Sequence, residues 1–73
     1  MRKGFNNVII DTPERFVGRY KQHRISIIEI QKPIGNMYSI DVTDKQDNFV
    51  VEANPILADM EEAIQYAINK AKI

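Results

Sequence analysis

The chain contains no cysteine, no tryptophan and one histidine, His23, and each shortage removes a class of chemistry. Without thiols there is no disulfide staple and no thiolate zinc site, and one imidazole cannot build a multi-histidine site. Glycine is nearly as scarce. Gly4, Gly18 and Gly35 are too few and too scattered for a dinucleotide fingerprint or a phosphate loop. No apolar run approaches the roughly 18 residues of a membrane span, and the opening MRKGFNNVII is interrupted by two asparagines and followed by an aspartate. Neither an anchor nor a signal peptide is expected, and no membrane contact. The absence of cysteine fits a reducing compartment, so the expected location is the cytoplasm.

Catalytic constellations are equally thin. A nucleophile needs a base within reach and a group to orient that base. No serine lies in a glycine-flanked elbow, and Ser26 and Ser39 fall in strand-like segments. His23 lies between Lys21 and Arg24, whose like charge disfavours an imidazolium, and reads as a polar turn residue. Asp41, Asp44 and Asp47 recur every third position, which invites a calcium reading. The twelve-residue calcium loop has a different spacing and a central glycine, and Lys45 intervenes, so a solvated hairpin is the better reading. No enzyme activity, metal or cofactor is expected.

Seventy-three residues give room for one domain, residues 1–73. A chain this short buries about 60% of its unfolded surface, and its stability is on the order of a few kcal/mol. The formal net charge is zero but unevenly spread: residues 1–33 carry seven Lys or Arg against three Asp or Glu, and residues 34–73 carry the reverse. Opposite charges interspersed on one surface account for this without a partner; a basic face for an acidic partner is the sharper reading.

The strongest secondary-structure signal is at the end of the chain. Met60, Ala63, Ile64, Ala67, Ile68 and Ala71 form one apolar stripe at helical spacing. Asp59 followed by Glu62 has the form of a capping box, with the glutamate reaching back to the cap amide. Glu61 and Glu62 at the start and Lys70 and Lys72 at the end agree with the helix dipole.

Upstream, Phe5 to Asp11 reads as a short strand. Thr12-Pro13-Glu14 has the signature of a helix start, with Phe16, Val17 and Tyr20 at helical spacing, yet Phe16, Gly18 and Tyr20 also alternate as a strand would. Both readings of residues 13–21 stay open. Ile25, Ile27, Ile28 and Ile30 are β-branched with a slip of phase, which suggests a bulge or a strand buried on both faces. Pro33-Ile34-Gly35-Asn36 is a turn cluster. Tyr38, Ile40 and Val42, and then Phe49, Val51 and Ala53, alternate with polar residues, separated by a reversal at residues 44–48.

The expected fold class is therefore α+β: a small two-layer domain with a three- to four-stranded antiparallel meander sheet, covered on one face by the C-terminal amphipathic helix. In it, Met60, Ile64 and Ile68 pack on Tyr38, Ile40, Val42, Phe49 and Val51. With a helix near 13–21 the second half of the order, αβββα, resembles that of double-stranded-RNA-binding domains in topology alone. That family sets lysines at the start of its last helix against phosphates, where this chain has Asp59, Glu61 and Glu62. Its function is not carried over.

What remains is binding. Two patterns stand out. Ile28, Ile30 and Val50, out of phase with the core, are candidates for a second apolar surface that docks a protein, including another copy of the chain. The expected function is thus a non-enzymatic interaction or regulatory module that binds a protein through its sheet face or edge. The alternative is nucleic acid, single-stranded or duplex, held by the basic and aromatic run Arg15, Arg19, Tyr20, Lys21, His23 and Arg24. Cations would neutralise phosphates there and rings would stack on bases, although the sequence pI of about 6.6 is low for such a domain.

Overall fold

A computed structural model describes residues 2–32 and 35–73, so the turn expected at Pro33–Asn36 falls partly outside the described residues. Five strands, β1 (Phe5–Asp11), β2 (Arg15–Tyr20), β3 (His23–Lys32), β4 (Gly35–Thr43) and β5 (Phe49–Ala53), precede one helix, α1 (Met60–Ala71). The strands pair antiparallel in chain order, β1-β2-β3-β4-β5, and α1 covers one face. The two-layer α+β architecture is the one expected, with a sheet one strand wider. Because residues 15–20 form β2, the element order is βββββα and the topological likeness to double-stranded-RNA-binding domains lapses.

Why residues 12–20 are not helical is visible in the first hairpin. The Thr12 hydroxyl accepts from the Arg15 amide at 2.9 Å, the bond that a helix cap would make, but here the Thr12 amide also donates to the Arg15 carbonyl at 2.9 Å and closes a turn. Proline in second place suits the first turn of a helix and a type I β-turn equally, so the local signal is the same for both. Burial along residues 15–19 separates the two: Phe16 and Gly18 are buried, and Arg15 and Arg19 are exposed, a period of two. Gly18 sits at a close approach, where a Cβ would stand 3.0 Å from the Phe16 ring and 3.1 Å from the Asn7 carbonyl.

The β2–β3 hairpin turns on two residues, Lys21 and Gln22, both at positive φ (47° and 67°). This is the type I′ form that glycine and asparagine favour, and neither is present. The β4–β5 reversal is held by Asp44, whose carboxylate accepts from the amides of Gln46 and Asn48 at 2.9 and 3.0 Å.

On the covered face, Phe16, Ile25, Ile27, Tyr38, Ile40 and Val42 are fully enclosed, and Met60, Ala63, Ile64 and Ala67 close over them. Phe5 adds edge-on contacts to Phe16 and Tyr20, with centroids 5.2 and 5.0 Å apart. Phe49 departs from expectation. It is 60% exposed, because the register shifts between Val42 and Thr43 and pairs Phe49 with Thr43, off the phase of Val51. Ile68 is partly buried at the rim of the core.

Helix α1 begins as its sequence indicates. Asp59 accepts from the Glu62 amide at 3.0 Å, while Glu62 reaches the amide of Ala58 at 3.3 Å, one residue before the cap. It ends with Lys72 at φ 60°, the Lys72 amide donating to Asn69 and the Ile73 amide to Ile68, a Schellman motif. Arg2 ties the helix start to β1 through ion pairs with Asp11 at 3.0 Å and with Glu61, and lies over the Phe16 ring.

Candidate interaction surface

Cross-strand partners share a face, so the register maps the side of the sheet that α1 leaves open. Three rows run across it. The first is Asn7, Arg19, Arg24, Thr43 and Phe49; the second is Ile10, Val17, Ser26, Asp41 and Glu52; the third is Arg15, Ile28 and Ser39. Beyond them Ile30 pairs with Met37, and an isolated bridge sets Ile56 beside Met37. Val50 is the extra residue at the β5 register shift.

The phase slip in the isoleucines of β3 therefore has a simple origin. Pairing runs unbroken from Arg24 to Lys32 with no bulge, so Ile25 and Ile27 enter the core while Ile28 and Ile30 face the other way, 46% and 38% exposed. The shifts lie instead in β1 and at the β4–β5 pair. Val50 and Ile56 are also exposed. Among the described residues no element covers these side chains.

Charge divides the open face. Arg15 and Arg19 on β2 and Arg24 at the start of β3 make one flank basic, and Asp41 on β4 with Glu52 on β5 makes the other acidic. Strand alternation breaks up the basic and aromatic run. The three arginines share the open face, whereas Tyr20 packs on Phe5 on the covered side and His23 pairs opposite Tyr20. Lys21 sits in the turn, its ammonium 5.6 Å from the Tyr20 ring centroid. His23 Nδ1 lies 2.8 Å from the Lys21 carbonyl, so that nitrogen carries the proton. Among the described residues the ring that shares the open face with the arginines is Phe49, 60% exposed at the far end of the Arg19 and Arg24 row, and Tyr20 and His23 are not beside it.

A cleft of about 350 Å³ opens at the other side, beside the helix start. Most of its polar groups are paired: Arg2 holds Asp11 and Glu61 through its terminal nitrogens, although its Nε is buried without a partner, and the Tyr38 hydroxyl donates to Glu29 at 3.1 Å. Burial and the Glu29 carboxylate both push the Tyr38 phenol above its ordinary value, so it stays protonated. Among the described residues no three His, Asp or Glu stand close enough to hold a metal ion, and Asp44, one of the three spaced aspartates, is spent on its own loop. Among the described residues no helix is long and apolar enough to cross a membrane.

Ile28, Ile30 and Val50 are recognisable from the sequence because their phase conflicts with their neighbours. Val17, Met37, Ile56, Asp41 and Glu52 are not. Alternation along a strand turns Val17, Met37, Asp41 and Glu52 away from the core, but which of them stand together, and with Ile56, is set by pairing across strands, which no local pattern encodes. The chain matches no family model, no curated protein and no solved structure.

Proposed function

We propose that the chain is a non-enzymatic interaction or regulatory module, working in the cytoplasm, that binds another protein through the open face of its sheet. The observation that carries this reading is the exposure of Ile28, Ile30, Phe49, Val50 and Ile56 with nothing packed on them. The face is a better docking surface than the edges. Strand β1 has two register shifts, which blunt it as a template for strand addition, and β5 is five residues long. A photo-reactive side chain at position 28 should cross-link to a protein in the native host, and one at Asn69, on the exposed side of α1, should not. Equal labelling from both positions would refute the reading.

Nucleic acid is the second reading, favoured by three arginines on one face. Asp41 and Glu52 on the same face oppose it, as does the loss of Tyr20 and His23 to the covered side. It forecasts binding of labelled oligonucleotides at about 50 mM salt that weakens steeply by about 200 mM and disappears in Arg19→Glu/Arg24→Glu. No binding at the lower salt removes it.

A further inference from the structure

Resting on that reading of the open face, we infer that its occupant is a second copy of the same chain, docked face to face about a two-fold axis parallel to β3. The argument is the placement of charge relative to the central strand. In a five-stranded meander β3 lies in the middle, so this rotation keeps β3 opposite β3 and exchanges β2 with β4 and β1 with β5. The basic flank of each copy then meets the acidic flank of the other.

The register makes the match specific. Asp41 and Val17 occupy the same cross-strand row, so the exchange of β2 with β4 sets the second copy's Asp41 over Val17, between Arg15 and Arg19. Each arginine is two residues from Val17, about 7 Å along the strand, within reach of a side chain that long. Glu52 lies one strand further out in the same row. On the axis itself, Ile28 meets Ile28 beside Ile30 and makes that half apolar, while Ser26 meets Ser26 toward the Arg24 end, and the charged pairs lie one strand away on either side. The rotation also sets Arg24 opposite Arg24 at the end of β3, a like-charge contact at the exposed rim that weakens the dimer.

Area sets the expected strength. Five strands about 4.8 Å apart, with outward residues over about 17 Å of strand, give on the order of 400 Å² of flat face per copy, about 800 Å² for the pair, below the size of stable specific interfaces and in the range of weak, transient ones. The dimer is accordingly weak and reversible, forming in the high micromolar range.

Sedimentation equilibrium of the full chain from about 10 µM to about 1 mM should show the average mass rise from 8.5 kDa toward twice that value. Arg15→Glu/Arg19→Glu and Asp41→Lys/Glu52→Lys should each stay monomeric, because the side chains that the exchange of β2 with β4 brings together are then of one sign. Their equimolar mixture should regain the dimer mass. Ile28→Lys, which sets two ammonium groups against each other on the axis, should abolish association and serves as a second variant should a charge-reversed chain lose its circular dichroism signature. A wild-type monomer at about 1 mM, or a mixture no heavier than its components, overturns the inference. In that event a host protein cross-linked at position 28 leaves the docking reading standing, and the absence of any adduct overturns both.

Discussion

Ile27 and Ile28 are adjacent, chemically identical, and treated oppositely: the first is fully buried under α1 and the second is 46% exposed on the open face. The covered face is a continuous apolar layer whose rings and aliphatics interlock, and it accounts for folding. The open face mixes isoleucines with arginines and carboxylates in a pattern that stability alone does not require. Residue type therefore says little about role in this sheet, and face says most.

The comparison breaks most visibly at that pair. Ile27→Ala should cost about 2–5 kcal/mol through lost burial and a cavity, whereas Ile28→Ala should stay within about 1 kcal/mol of wild type; urea denaturation of both variants checks it. Equal losses would mean that the two faces do not differ in the way described. Tyr38→Phe should cost about 1–2 kcal/mol by leaving Glu29 without its donor. Because the folded phenol binds its proton more tightly than the unfolded one, that contribution is complete below the unfolded value near 10.0 and fades as pH rises through the folded one. Thermal melts between neutral and strongly alkaline pH should show this decline in the wild type and a smaller one in the variant.

Smaller effects sharpen the account of the covering helix and of the hairpin that aligns β2 with β3. Asp59→Ala removes the acceptor for the Glu62 amide and should cost about 1 kcal/mol, read as a lower melting point. Lys21→Asn with Gln22→Gly should do the opposite. Two ordinary residues at positive φ are strained, and residues suited to the type I′ turn should stabilise by about 1 kcal/mol, raising the melting point by about 4–8 °C.

The parts legible in the sequence are those whose physics is local. Asp59, the stripe of α1 and the alternation of Tyr38, Ile40 and Val42 needed only helical or strand periodicity. Residues 13–21 stayed ambiguous because Thr12 makes the same bond in a cap as in this turn, and because Lys21-Gln22 carries no turn signal. Phe49 was misplaced because one extra residue at Val50 reverses its face. The candidate surface was half legible: Ile28, Ile30 and Val50 stood out by phase, but the acidic flank that completes it depends on pairing between β4 and its neighbours. The basic and aromatic run looked continuous along the chain, and the two-residue period of a strand divides it between faces.

On the proposed docking, the open face, and not the edges or the helix, would meet the second copy. A dilution series followed by amide NMR tests it on the unmodified protein. Between about 1 mM and about 50 µM, the amides of Val17, Ser26, Ile28, Ile30 and Asp41 should shift together along one binding curve, while those of Glu61, Gln65 and Asn69 on the outside of α1 stay fixed. Shifts confined to β1, β5 or the helix, or none at all, would contradict it.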